Sequence, residues 1–103
     1  MMVVLFNAIV RDEANDAEYE RTDERLYSIV SRMPGFLSFK EYTADDGETI
    51  GVIRFESREA LEAWRDHPEH VAAQQRGRDH FYDSYDIEVL EQVRRSVFRR
   101  PTT

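Results

Sequence analysis

The spacing of apolar residues divides the first third of the chain into a strand and a helix. Residues 2–10 form a short apolar run rich in β-branched side chains, which is typical of a strand. From residue 16 to 33 the apolar positions recur every three or four residues, which indicates a helix packed on a core. The Asn15-Asp16 pair is its predicted N-cap, and the Pro34-Gly35 pair is expected to end it.

The rest of the chain predicts a hairpin, a helical stretch and a last strand. Residues 36–43 and 49–55 have strand character, and a glycine-containing turn separates them. Ser57 is expected to cap a second helix. Residues 68–78, which begin with a proline, predict a further helical segment after a kink. Apolar alternation within residues 82–93 predicts the final strand.

This order of elements, β-α-β-β-α-β, is the ferredoxin-like pattern of the α+β class, with one antiparallel sheet. Its two helices can cover one face of the sheet only. The first strand, however, is apolar on both faces. One face carries Val3, Leu5 and Ile9 together with Asn7, and the other carries Val4, Phe6, Ala8 and Val10. We therefore expect a second copy of the chain to cover the open face as a homodimer.

Composition and charge exclude several classes of protein. With 103 residues the chain has the length of one domain, predicted over residues 1–94 with a basic tail at 95–103. A net charge of −7 argues against a nucleic-acid partner. The absence of cysteine excludes disulfides and thiolate chemistry. Neither a membrane span nor a signal peptide is predicted, so a cytoplasmic location is expected. The tail either is solvated or docks on the acidic first helix of a partner.

Three motifs together resemble the antibiotic biosynthesis monooxygenase family. They are MPGF at 33–36, FESREALEAW at 55–64 and HPEH at 67–70, and the resemblance spans nearly the whole chain. It implies a dimeric α+β barrel, in agreement with the two-sided first strand. It also implies one of several activities, because the family includes cofactor-free oxygenases of aromatic polyketides and haem-degrading enzymes.

The resemblance further implies that Asn7 and Trp64 line a pocket between the sheet and the helices. An amide such as that of Asn7 in an apolar face needs a partner, since burying it unpaired costs about 1–3 kcal/mol. The partner is either a structural hydrogen bond or a ligand. Trp64 can equally be an ordinary core residue, given its large apolar area.

The haem-degrading branch of the family needs a histidine ten residues beyond this tryptophan, and the chain has Gln74 there. An amide is a poor iron ligand compared with a neutral imidazole. His70 lies one turn earlier on the same helical face, about 5.4 Å away along the axis. Haem is therefore kept as an alternative cofactor. His67 and His70 lack an obvious third metal ligand, and His67 stands where a helix cap would, so no metal is predicted.

Cofactor-free oxygenation needs a dry pocket, a base that titrates near neutral pH and donors for an oxyanion. His70 is the predicted base, because imidazole titrates in this range. Asn7 and Gln74 are the predicted amide donors, and Trp64 with Phe36 or Tyr82 would form aromatic walls. Arg54 either pairs with a substrate anion or forms a surface salt bridge.

Three functions are consistent with these residues. The favoured one is a cofactor-independent monooxygenase that combines dioxygen with a small aromatic substrate. The alternatives are a haem-binding or haem-degrading enzyme, and a non-enzymatic dimeric module that binds a small ligand. The chain has no nucleophile elbow and no glycine-rich phosphate loop, so hydrolase and nucleotide-binding functions are not indicated.

Overall fold

A four-stranded antiparallel sheet carries all the helices on one of its faces. The computed structural model describes residues 1–12 and 16–102, so the predicted cap Asn15 lies outside the described residues. In chain order the elements are β1 (Met2–Val10), α1 (Asp16–Val30), β2 (Phe36–Thr43), β3 (Thr49–Phe55), α2 (Arg58–Arg65), α3 (Pro68–Arg76), a π-helical turn (Gly77–Phe81) and β4 (Tyr82–Glu91).

The strand order is β2-β3-β1-β4, which confirms the ferredoxin-like α+β fold. The apolar strand β1 lies at the centre, paired antiparallel with β3 and with β4. Its residue Val4 stands opposite Ile53 on one side and Val89 on the other. Because side chains alternate along a strand, this register puts the even-numbered residues of β1 on the face that carries the helices.

The core lies between this helix-facing side of the sheet and the helices. Its largest cluster of buried residues consists of Met2, Val30, Ile53, Phe55, Leu61 and Trp64. The opposite side of the sheet, called here the outer face, has no helix over it in the described part of the chain. It carries the odd-numbered residues of β1, among them Val3 and Leu5, which are half-buried.

Local hydrogen bonds explain where the two C-terminal helices begin. The Ser57 hydroxyl accepts the backbone N–H of Ala60 at 3.1 Å and so caps α2, as predicted. Nδ1 of His67 accepts the N–H of Glu69 at 3.2 Å, immediately before Pro68 opens α3. His67 is therefore a helix cap.

Three element ends differ from the sequence-based expectation, one of them the end of α3, which stops at Arg76 rather than at residue 78. Helix α1 ends at Val30, three residues before Met33, because Met33 N–H donates to the Val30 carbonyl and Arg32 N–H to the Ile29 carbonyl. These i→i−3 bonds form a tight final turn before Pro34. Strand β4 ends at Glu91 rather than at residue 93. No helix in the described part of the chain is long and apolar enough to cross a membrane.

Candidate functional site

A cavity of about 400 Å³ lies between the helices and the helix-facing side of the sheet. Residues from all three helices and all four strands line it. Most of the wall is apolar or aromatic, with Val4 and Phe6 of β1 on the sheet side and Leu26 of α1 on the helix side. A cavity of this size and character is suited to a small, largely apolar molecule.

Trp64 and His70 form a stacked pair in the wall of this cavity. Their ring centroids are 4.3 Å apart and the rings are inclined by 16°. Trp64 is buried at the end of α2, where its indole also belongs to the core, and His70 extends from the first turn of α3. The kink between the two helices brings these side chains together, six residues apart in sequence.

The hydrogen bond of His70 fixes which ring nitrogen can act as a base. Nδ1 lies 3.0 Å from the Trp64 carbonyl oxygen. A carbonyl oxygen can only accept, so Nδ1 carries the proton and Nε2 has a free lone pair. Burial lowers the pKa of His70 below its usual value, although the hydrogen bonds to the backbone of Trp64 and Arg65 oppose this shift. The imidazole is thus neutral near pH 7 and can accept a proton.

Gln74 and Tyr82, the other predicted pocket residues on this side, also line the cavity. Gln74 lies one helical turn after His70 on α3. Tyr82 begins β4, and its ring packs against the bare backbone of Gly77, where an added Cβ would lie 2.6 Å from a ring carbon. Burial raises the pKa of Tyr82 far above its ordinary value, and the neighbouring Tyr19 adds to the effect.

Two predicted site residues lie elsewhere. Phe36 is part of the aromatic core, with its ring edge-on to that of Phe55 at 6.2 Å between centroids, and it is not in the cavity wall. Asn7 is on the outer face, where its Nδ2 donates to Asp86 Oδ2 at 3.0 Å and to Glu88 Oε2 at 3.2 Å. The amide of Asn7 is thus satisfied by side chains of β4, and the structure does not bring it to the cavity.

Asp23 is a cavity residue that the sequence reasoning missed. Burial raises the pKa of this carboxyl to about 6, and the charge of Glu41 adds to the shift. The many acidic residues between positions 12 and 24 indicate a solvated surface, so the inward position of Asp23 is not evident from composition. Its spacing was the available signal, because Asp23 lies one turn after Tyr19 and one turn before Leu26, within the inward stripe of α1.

Asp23 belongs to a group of two carboxyls and two phenols, called here the acidic wall, that consists of Tyr19, Asp23, Glu41 and Tyr82, and the phenols are neutral because burial raises their pKa. These residues come from α1, β2 and β4, and they act on one another electrostatically. The rings of Tyr19 and Tyr82 meet edge-on with centroids 6.0 Å apart. Burial raises the pKa of Tyr19 to about 12. The cavity thus contains a neutral imidazole and a separate set of acids.

Arginines on the surrounding helices are held by carboxylates. The pairs are Arg25 with Glu69 at 3.0 Å, Arg76 with Glu18 at 2.6 Å and Arg65 with Asp66 at 2.9 Å. The first two connect α1 to α3 and so keep these helices together beside the cavity. Within residues 1–12 and 16–102, no group of three or more His, Asp or Glu side chains could hold a metal ion.

The fold and the cavity define a ferredoxin-like domain with a small apolar pocket between its helices and its sheet. The model of the antibiotic biosynthesis monooxygenase family matches residues 1–76, and the chain belongs to this family. It is 35% identical over 99 residues to the uncharacterized protein YqjZ of Bacillus subtilis (strain 168). The aligned region covers 96% of this chain and 85% of YqjZ.

Solved structures share the fold at lower sequence identity. Rv0793 from Mycobacterium tuberculosis matches with a TM-score of 0.79 and 21% identity over 93% of this chain and 98% of its own. SnoaB from Streptomyces nogalater, described as a cofactor-independent oxygenase, matches with a TM-score of 0.74 and 14% identity. That match covers 93% of this chain and 95% of SnoaB. At these identities the structural matches establish the fold.

Proposed function

We propose that this protein is a cofactor-independent monooxygenase that oxidises a small, electron-rich aromatic substrate in the cavity between its helices and its sheet. The observation that carries the proposal is the His70–Trp64 pair, in which a neutral imidazole, bonded through Nδ1 to the Trp64 carbonyl, lines an apolar cavity. Family membership supports it, and SnoaB provides a precedent for such chemistry on this fold.

The reaction needs a base, because the substrate must become an anion before it can reduce dioxygen. His70 Nε2 takes a proton from an acidic C–H or O–H of the substrate, and the resulting imidazolium stabilises the substrate anion. The anion transfers one electron to dioxygen, and the two radicals combine into a peroxide. Loss of water then leaves a new carbonyl group: one oxygen atom stays on the carbon, and the other leaves with the two hydrogens that the carbon gave up.

Two further residues support these steps. Gln74, one turn from His70, can donate its amide N–H groups to the oxygen on which negative charge develops. Trp64 provides an aromatic surface that excludes water from the reactive anion and holds the His70 ring by stacking. Asn7, on the outer face, has no part in this mechanism.

Haem fits this cavity poorly. Gln74 stands where the haem-degrading relatives need histidine, and the His70 ring lies flat against the Trp64 indole. The carboxylates Asp23 and Glu41 in the wall would repel the propionates of the porphyrin. We therefore propose no step through haem.

Oxygen consumption with an anthrone-type substrate tests the proposed activity. His70→Gln is expected to lower kcat by about 10²–10³-fold, because it removes the base but keeps a polar side chain at this position. His80→Gln is the matched control, since His80 is exposed and lies outside the cavity wall, and its rate should equal that of the wild type. Wild-type rates in His70→Gln would reject His70 as the base.

Trp64→Phe tests the contribution of the indole to catalysis. We expect the smaller ring to lower kcat by about tenfold or more, since the imidazole loses its stacking partner. If the wild-type protein consumes no oxygen with any anthrone or phenol but binds these compounds, the activity is rejected in favour of a non-enzymatic ligand-binding module.

We also propose that the protein works as a homodimer formed through the outer face of the sheet. Val3 and Leu5 lie at the centre of this face, among apolar and charged side chains of the flanking strands, and no helix of the described chain covers them. In the basic tail, Val97 and Phe98 are 54% and 77% exposed, beside Arg99 and Arg100. This tail is proposed to pack on the acidic α1 of the partner.

A further inference from the structure

The charged side chains around the cavity suit a ligand with a positively charged substituent better than one with a carboxylate. Among the described residues that line it, Arg65 is the one arginine or lysine, and its guanidinium is paired with Asp66 at 2.9 and 3.1 Å. The chain's one lysine, Lys40, alternates with the wall residues Phe39 and Glu41 on β2 and therefore points to the outer face.

Other nearby arginines are directed away from the cavity. The side chain of Arg25 is 65% exposed in its pair with Glu69, and that of Arg76 is 44% exposed in its pair with Glu18. Arg54 stands opposite Val3 in the sheet register and so shares the outer face. None of these three side chains lines the cavity.

Asp23 and Glu41, by contrast, face the cavity from α1 and β2. The charged group that acts on Asp23 is Glu41, which has the same sign, and the phenol groups of Tyr19 and Tyr82 complete the acidic wall. This wall stands beside an apolar volume of about 400 Å³, so a ligand that fills the volume must meet these acids.

We propose that Asp23 anchors an aromatic ligand that carries an amine, and that the acidic wall excludes aromatic carboxylates. The ammonium group would donate to the Asp23 carboxylate while the ring lies between Phe6 and the Trp64–His70 pair. This inference names the ligand class of the site used in the proposed function, and it rests on that cavity being the ligand site.

The chemistry of the wall supports this assignment. A carboxylate that is partly buried beside a second carboxylate gains most from a cation, which lowers the repulsion between them and forms a charge-assisted hydrogen bond. An alcohol can also donate to Asp23, but without the charge. An aromatic carboxylate would add a third negative charge next to Asp23 and Glu41.

Three naphthalene probes of one shape test the order of affinity: 2-naphthylmethylamine, 2-naphthalenemethanol and 2-naphthoate. Binding to the full chain at pH 7.5 is followed by NMR, through the shift of the Trp64 indole N–H, which is unique because the chain has one tryptophan. We expect the amine to bind about tenfold more tightly than the alcohol, and the carboxylate to bind least.

Asp23→Asn is the decisive variant, because it removes the charge and keeps the shape. It should lower the affinity for the amine about tenfold and change that for the alcohol less than twofold. Glu41→Gln should raise the affinity for 2-naphthoate. Glu20→Gln is the matched control, since Glu20 is an exposed acid on the same helix, and all three affinities should stay at wild-type values.

The inference is overturned if the carboxylate binds as tightly as the amine, if Asp23→Asn leaves amine binding unchanged, or if no probe moves the Trp64 signal. Its outcome is separable from that of the proposed function. A protein that ranks the probes as expected but consumes no oxygen keeps the ligand class and loses the monooxygenase. A protein that consumes oxygen but ranks the probes in another order keeps the monooxygenase and loses the ligand class.

Discussion

At the scale of single residues, burial shifts the acid–base behaviour of the cavity in two directions. His70 has its pKa lowered, so it is neutral, while Asp23 has its pKa raised to about 6. The same loss of solvation causes both shifts, because it disfavours the charged form of each group. Near pH 7 the cavity therefore holds a neutral base and a carboxylate that is costly to keep charged.

The lowered pKa of His70 predicts the pH profile of the proposed reaction. Nε2 can accept a proton only when the ring is neutral, so kcat/KM should rise with pH along a limb whose midpoint lies below pH 6.5, the usual value for histidine. Oxygen uptake between pH 4.5 and 8.5 measures this profile. An acidic limb centred above pH 6.5, or one that persists in His70→Gln, would contradict the assignment of His70 as the base.

Asp23→Asn is expected to stabilise the fold in a pH-dependent way. The folded-state pKa of about 6 lies above the unfolded value of 3.8, so above pH 6 the folded protein bears the full cost of the charged carboxylate. As the pH falls from 6 to 3.8 the folded state takes up a proton and the cost disappears. We expect a gain of about 1–2 kcal/mol at pH 8, allowing for solvent screening, and almost none at pH 3.8.

Urea unfolding of the wild type and Asp23→Asn at the two pH values measures this difference. Glu20→Gln serves again as the control on α1, and its free energy of unfolding should follow that of the wild type at both. An equal effect of Asp23→Asn at pH 8 and pH 3.8 would show that the carboxylate is not desolvated in the folded protein.

The positions of single side chains were the least predictable feature from the sequence. Alternation along β1 correctly separates Asn7 from Val4 and Phe6, but both sets are apolar, so periodicity cannot tell which set faces the helices. The family resemblance, not the periodicity, implied that Asn7 lines the pocket, and the structure has it on the outer face. Composition hid Asp23 in an acidic run, whereas the inward position of Trp64 follows from its place on an apolar helical stripe.

At the scale of elements, the turn between α1 and β2 depends on a close approach to α2. Gly35 has φ +85°, and an added Cβ would lie 2.5 Å from Cβ of Ala60. Gly47, in the β2–β3 turn, has φ +91° but no atom within 4 Å of the added Cβ. An alanine at either position would therefore be strained by the positive φ, but only at Gly35 would its Cβ also clash with Ala60.

Gly35→Ala is accordingly expected to destabilise the protein more than Gly47→Ala. The strain of the left-handed conformation costs about 1–2 kcal/mol at either position, and the clash with Ala60 should bring Gly35→Ala to about 3–4 kcal/mol. Thermal or urea unfolding of both variants gives the comparison. Equal losses would mean that α2 moves away without cost.

The order and type of the elements were predictable because local signals agree along most of the chain. Pro34-Gly35, Ser57 and Pro68 each mark a boundary by their own local chemistry, and the structure has a boundary at each. The π-helical turn at Gly77–Phe81 was not predicted, since it depends on the packing of Phe81 and Tyr82 and has no local sequence signal.

At the scale of the whole molecule, the outer face of the sheet leads to the last prediction. A sheet with helices on one side leaves its other side to solvent or to a partner, and Leu5 lies near the middle of that side, opposite Val52 and Glu88. Light scattering after gel filtration should give twice the protomer mass for the wild type. Leu5→Arg is expected to give a monomer, because a long charged side chain, even when it is paired with Glu88, would prevent the two outer faces from packing closely at the centre of the interface.

Asp45→Arg is the control for added charge, since Asp45 is exposed in the β2–β3 turn, away from the outer face. This variant should keep the dimer mass, and circular dichroism should show that Leu5→Arg remains folded. Deletion of residues 95–103 then tests the tail: if it packs on α1 of the partner, the truncated dimer should dissociate at higher protein concentration than the wild type, and salt should weaken it less than it weakens the wild-type dimer, because the charge pairing is lost. A wild type that is monomeric at tens of micromolar, or a Leu5→Arg variant that stays dimeric, would show that this face is not the interface.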